Sequence, residues 1–332
     1  MDELSKITVL LSLAIFAIII GFGGCTSQQN PQENSQASGS HVLIGLQMTP
    51  ASTLVQVADE KGFFKKNGID VEIKEFTAGK FAFQALLANS VDFAVVGDIP
   101  VALAKMQGNE FYVVSEVGGN RNEAPLLVAD DNSKTMEEFF SKKRKIATSI
   151  GGTPEFSLYL NLKEHNVSKE NVEIISQKPE EMIGAFSNGS VDGINIFEPY
   201  PTIAEEKSGR QTKRFALPAE IYTARYLLTS RKDLADKNPE TVKAVLKSLK
   251  EAETFVRENP EEAKALVSKR TKFDRAIIEK IWGDFDFSVP ITEQLSKNLE
   301  MESKWAVETG KAKPGNTDFS PIMRKDLLAG AG

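Results

Sequence analysis

Two stretches one hundred positions apart repeat a single pattern. Ser90-Val91-Asp92-Phe93-Ala94-Val95-Val96-Gly97-Asp98 and Ser190-Val191-Asp192-Gly193-Ile194-Asn195-Ile196-Phe197-Glu198 each follow a helix-like run and a polar turn. The unit reads as helix, turn, short buried strand, and then an acid at the strand's carboxyl end, which is where ligands sit in open α/β sheets. Two such units point to two lobes facing one cleft, with Asp98 and Glu198 at its edge. The plainer alternative is a pair of ordinary αβ units whose acids face solvent.

The rest of the chain supports the two-lobed reading. Its 332 residues are 41% hydrophobic and 26% charged, enough for two compact lobes and too apolar for general disorder. The formal net charge of −6 argues against a nucleic-acid partner, which needs a basic stripe to displace counterions. Cys25 is the only cysteine and His41 and His165 the only histidines, so neither an internal disulfide nor a zinc-type cluster is expected. Carboxylate metal sites are left open by this count. No G-x-S-x-G, H-E-x-x-H or G-x-x-x-x-G-K-[ST] occurs, so the common hydrolase, metalloprotease and P-loop chemistries lack their residues. No cofactor is expected, and the chain reads as a binder rather than an enzyme.

The amino terminus sets the compartment. Residues 7–24 are a nearly unbroken apolar run after Lys6, ending in Phe22-Gly23-Gly24-Cys25, which has the shape of a signal sequence. Small residues before a cysteine resemble the lipobox of bacterial and archaeal lipoproteins, in which cleavage leaves a lipidated cysteine, here Cys25. Phe22 stands where leucine is usual, and Asp2 and Glu3 weaken the positive flank, so an uncleaved anchor helix is the rival reading. Either way the remainder is held at the extracytoplasmic face of the membrane. Residues 26–40 are Ser, Gln, Asn, Gly and Pro with almost nothing apolar, a flexible tether. The expected organisation is a signal peptide over 1–24, a lipid-anchored tether over 25–41, a first lobe over 42–124 and 224–332, and a second lobe over 125–223.

Within the first lobe the pattern predicts strands at 42–47, 71–76, 93–96 and 111–116, the last broken by Gly118-Gly119-Asn120. Thr49-Pro50 opens a helix as N-cap and first-turn proline, Gly62 closes it, and a second helix covers 80–88. The second lobe repeats the plan, with strands at 125–129, 145–150 and 172–176, and with Gly151-Gly152-Thr153-Pro154 opening a helix to His165. Tyr222 stands where the chain crosses back, before a strand at 227–230 and long charged helices. Such alternation predicts mostly parallel sheets flanked by helices. Trp282, Trp305 and Leu327-Leu328 are expected to pack around the first lobe.

The helix start at Ser149, Gly152 and Thr153 has the parts of an anion site: close-approach glycines, hydroxyls and unpaired N–H groups. Glu155 in its first turn offsets some of that charge, which makes Thr49, Ala51 and Ser52 the cleaner anion candidate. Asp98 and Glu198 would want a cation or several donors. Together these suit a zwitterionic or polar small molecule, with Tyr222, Phe197 and Tyr200 as candidate walls. For each the alternative is structural: a plain N-cap, a surface acid fixed by Pro199, or core aromatics.

At this point the order of motifs resembles the solute-binding proteins of ABC importers for sulfonates, taurine and nitrate, a group that includes pyrimidine-precursor-synthase-like members. The matching stretches are Ala58-Asp59-Glu60-Lys61-Gly62-Phe63-Phe64, Gly68-Ile69-Asp70-Val71, residues 84–92, Gly97-Asp98-Ile99-Pro100, Phe197-Glu198-Pro199-Tyr200 and Asn238-Pro239-Glu240. The resemblance implies a type II periplasmic-binding fold of two lobes joined by two crossings. It further implies closure on one small molecule and docking on a membrane permease; the permease's ATPase is the further partner expected, and the chain itself is expected to be a monomer. It places the pocket at Thr49 to Ser52, Gly79, Gly97-Asp98, Ser149 to Thr153 and Glu198. The alternatives are a same-fold enzyme of pyrimidine-precursor metabolism, whose cysteine-rich motif is missing, and a tethered ligand sensor.

Overall fold

The computed structural model describes residues 40–315 and 317–331, so the expected signal sequence, Cys25 and nearly all of the tether lie outside the described residues. The first strand already begins at Ser40, two residues inside the expected tether, and His41 Nδ1 pairs with Asp70 Oδ2 of the neighbouring strand at 2.8 Å.

Among the described residues eleven strands form two sheets. In chain order they are β1 Ser40–Gln47, β2 Ile69–Phe76, β3 Phe93–Gly97, β4 Tyr112–Asn120, β5 Leu126–Ala129, β6 Arg144–Thr148, β7 Val172–Ser176, β8 Gly193–Asn195, β9 Thr212–Phe215, β10 Ala224–Ser230 and β11 Phe285–Asp286. One sheet has the order β11-β4-β10-β3-β1-β2 and the other β7-β6-β8-β5-β9. The chain leaves the first sheet after β4 and returns to it at β10, giving two crossings. Each sheet is mixed rather than mostly parallel. β1, β2 and β3 run parallel, whereas β10 is antiparallel to β3 and β4; β6, β7 and β8 run parallel, whereas β5 is antiparallel to β8 and β9. The antiparallel partners β5 and β10 are the strands that follow the two crossings, where the chain enters a sheet without a covering helix to reverse it.

The two copies of the repeat have one geometry. A helix, Gly79–Leu87 or Pro179–Ser187, ends in a left-handed residue, Asn89 at φ 57° or Gly189 at φ 78°. The next N–H bonds back into the helix, Ser90 to Ala85 O at 2.8 Å and Ser190 to Ala185 O at 2.9 Å. Val91 and Val191 are buried. Asp92 Oδ2 accepts the Leu43 N–H at 2.9 Å and Asp192 Oδ2 accepts the Lys145 N–H at 2.8 Å, so each acid pins the neighbouring parallel strand in register. An arginine backs each one: Arg231 at 3.1 Å from Asp92, and Arg144 at 3.6 Å from Asp192. The Val-Asp turns are therefore scaffold.

Gly118 and Gly119 do not break β4, as their sequence suggested. They let it continue between two partners. A side chain on Gly118, at φ 138°, would strike the Asp286 carbonyl of β11, and one on Gly119 would strike Arg225 and lie 2.7 Å from the Ala224 carbonyl.

Apolar clusters cover both faces of each sheet. A fifth cluster ties the sheets' helices together: Ile99, Phe156, Leu160, Tyr222, Trp305 and Ala306. Trp305 stacks edge-on against Phe156 at 5.1 Å, so it packs between the two halves and not around the first alone, whereas Trp282 and Leu327 pack as expected.

Candidate functional site

The carboxyl ends of β1 and β3 and the helix starts that follow them face the loop after β6 and the turn after β8. Between them lies a cavity of about 630 Å³ of empty space, its open mouth included. From the six-stranded side come Gln47, Thr49, Ala51, Ser52, Gly79, Lys80, Gly97 and Pro100; from the other side come Ser149, Gly152, Thr153, Phe197 and Glu198; Glu123 and Tyr226 stand beside the two crossings. Nine of the eleven residues singled out from the sequence thus line this one cavity: Thr49, Ala51, Ser52, Gly79, Gly97, Ser149, Gly152, Thr153 and Glu198.

Asp98 and Tyr222 do not. Asp98 is fully buried as the first residue of the helix Asp98–Met106, with its carboxylate turned into the protein. It accepts from Tyr222 Oη at 2.8 Å, Asn298 Nδ2 at 2.7 Å and the Arg225 N–H at 3.0 Å. Burial pushes its pKa up and those donors oppose the rise. Asp98 and Tyr222 are thus a buried joint between β3, the second crossing and the helix Glu293–Glu308. Tyr200 is also internal, with its hydroxyl on Glu180 at 3.1 Å.

Glu198 contributes to the cavity lining, but its side chain is fully buried and already paired. Arg214 Nη1 lies 2.6 Å from Oε1 and the Thr202 N–H 3.3 Å from Oε2. Burial raises its pKa, and Arg214 offsets part of the rise. Arg214 comes from β9, a strand absent from the sequence reading: Thr-Lys-Arg-Phe alternates weakly, and all four of its residues are half-buried.

The helix starts differ in what they leave free. At Thr153–Glu164 the Gly151 N–H donates to Glu155 Oε2 at 2.8 Å and Glu155 also meets Lys311 at 2.7 Å, so part of that end is filled from within. Ser52 Oγ bonds to the Gln47 and Thr49 carbonyls at 2.7 and 3.0 Å, which spends its proton on the turn. The Thr49 side chain makes no capping bond, and its hydroxyl stays on the cavity wall. The three residues after Thr49 form a 3-10 turn before the helix proper at Thr53–Glu60.

Lys80 was missed, because a lysine in the first turn of a helix reads as a solvated charge. Its side chain instead crosses the cleft, donating to the Ile150 carbonyl at 2.6 Å and Ser149 Oγ at 3.2 Å. Burial lowers its pKa, and Glu155 counters that. Glu123 was missed too, within the polar loop Asn120-Arg121-Asn122. It is buried, accepts from Tyr226 Oη, and has its pKa raised well above the usual value, by burial first and then by Glu198 and Asp98.

Two mixed sheets, two crossings and a cavity at the strands' carboxyl ends define the two-lobed type II periplasmic-binding class. The aliphatic-sulphonate-binding protein SsuA of Escherichia coli has this fold: its solved structure superposes with a TM-score of 0.72 at 21% identity, over 83% of this chain and 90% of that one. The chain belongs to the NMT1/THI5-like family, whose model matches residues 49–263. Among its relatives are a putative aliphatic sulfonates-binding protein of Bacillus subtilis, 28% identical over 86% of this chain and 85% of that protein, and the taurine-binding periplasmic protein of Escherichia coli, 29% identical over 68% and 69%.

Proposed function

We propose that this chain is the extracytoplasmic solute-binding component of an ABC importer. It captures a small anionic or zwitterionic solute of the sulfonate, taurine or nitrate type and delivers it to a membrane permease and its ATPase. The observation that carries this is the cavity itself. It joins an ammonium, free hydroxyls at Thr49 and Thr153, and two helix starts, at Thr49 to Ser52 and at Gly79, in a space that suits a small molecule. The relatives named above are binding proteins, which favours capture over turnover.

The mechanism is hinge closure. Residues 42–124 with 224–332 form one lobe and 125–223 the other, and the solute stabilises the closed state through contacts that need both walls. Lys80 belongs to that closure, since its ammonium meets an anion and the opposite loop together. The mature protein works as a monomer, held through a lipid on Cys25 and the tether that ends before the strand at Ser40. The Cys25 anchor rests on the sequence alone.

Native mass spectrometry of protein purified without denaturation tests this reading, followed by calorimetry with alkanesulfonates, taurine and nitrate. A retained small anion or zwitterion, or binding of at least one probe, is the expected outcome. Chemical conversion of a bound probe would replace capture with catalysis, and failure to retain or bind any of them would remove the proposal.

A further inference from the structure

Glu123 is the acid on the cavity wall with no basic partner among the described residues. It lies on the first crossing with 9% of its surface exposed. Tyr226 Oη donates to Oε2, and no group among the described residues donates to Oε1. The main chain is fixed as well, with its carbonyl accepting the Glu198 N–H at 3.0 Å. The titratable groups that face it are Glu198, already balanced by Arg214, together with Asp98 and the Tyr226 and Tyr222 phenols. The cavity's lysine, Lys80, is committed to Ile150 and Ser149 across the cleft.

A buried carboxyl with one unshared oxygen and only acids and phenols around it lacks one positive charge. Burial together with Glu198 and Asp98 raises the affinity of that carboxyl for a proton. An ammonium meets the need better, because it brings a full charge and up to three donors. We propose that Glu123 and Tyr226 form a cation-accepting subsite, so that the preferred solute carries a primary ammonium as well as an anionic head. This rests on the reading of the cavity as a solute site. On binding, the Glu123 carboxylate pairs with the intact ammonium, and any proton the carboxyl held passes to solvent. Asp98 and Glu198, the acids the sequence put forward for this task, have their charges met from within the chain.

The probes are taurine and ethanesulfonate, which share the sulfonate head and differ in the ammonium. Calorimetry of the wild-type protein near neutral pH should show taurine bound at least about tenfold more tightly than ethanesulfonate. Glu123→Gln should bind the two probes about equally. Tyr226→Phe, which keeps the carboxyl and removes its only donor, should shrink the preference, and it serves as the second variant if Glu123→Gln does not fold. Equal or tighter binding of ethanesulfonate by the wild type would overturn the subsite and leave the binding-protein reading standing. Failure of both probes, with nitrate and other alkanesulfonates also unbound, would bring down the broader reading with it.

Discussion

At the scale of single residues, one sequence position met two fates. Asp98 and Glu198 end equivalent strands, yet Asp98 opens a helix and turns inward, whereas Glu198 precedes Pro199 and stays on the cavity wall. The partners that decide this, Asn298 and Tyr222 for one acid and Arg214 for the other, come from far along the chain or from a weak edge strand. Local pattern could place an acid at the strand end but could not assign its partner. Glu302 extends the buried joint. Burial and the neighbouring Asp98 push its pKa well above the usual 4.5. The folded state therefore holds that proton more tightly than the unfolded chain does. The stability it contributes is full below 4.5 and is lost as the pH rises through the raised folded value. Glu302→Gln keeps a donor and cannot ionise. Its thermal midpoint should hold steadier than the wild type's as the pH is raised from about 5 to about 8, and parallel pH profiles would contradict this account.

At the scale of elements, much of the scaffold was legible, because its signals are local. Thr49-Pro50 and Thr153-Pro154 stand at helix starts, Gly62 takes the left-handed conformation at φ 71° that its place after a helix suggested, and Pro239–Glu258 is one of the long charged helices expected after residue 230. Strand neighbours were less legible. The mixed sheets, the passage of β4 through Gly118 and Gly119, and the edge strand β9 all depend on which chain segment lies alongside, and periodicity does not report that. The repeat yields a paired test. Asp92→Ala and Asp192→Ala each remove the acceptor for a neighbouring strand's N–H, at Leu43 and Lys145, and should each cost about 1–3 kcal/mol. Denaturant unfolding measures both. A loss in one copy with none in the other would show that the two turns do not share a role.

At the scale of the whole molecule, two sheets meet across a cleft with a lysine spanning it. Lys80 ties the first turn of Gly79–Leu87 to the loop after β6, and two further contacts, Tyr159 Oη to Glu308 at 2.5 Å and Glu155 to Lys311 at 2.7 Å, join the helix Thr153–Glu164 to the carboxyl-terminal region. Lys80→Met should release the cleft-side tie without touching the other two. Loss of a bond worth about 1–2 kcal/mol would move an open–closed balance by roughly tenfold. Small-angle scattering without added solute should then give a larger radius of gyration than wild type, with unchanged far-UV circular dichroism. Superimposable scattering curves would mean that Lys80 does not set the balance.

Glu123 gives this architecture a constraint on how its preferences can drift. Its carbonyl holds the Glu198 N–H, its carboxyl holds Tyr226, and it stands on the strip of chain that links the sheets. A substitution there alters a chemical preference and the joint at the same time. Lineages or engineers seeking a new cargo would find the looser wall positions, such as Thr49, Thr153 and Phe197, open to change first. Glu123 would then be the last to move, and its identity would mark the deepest divisions among related carriers.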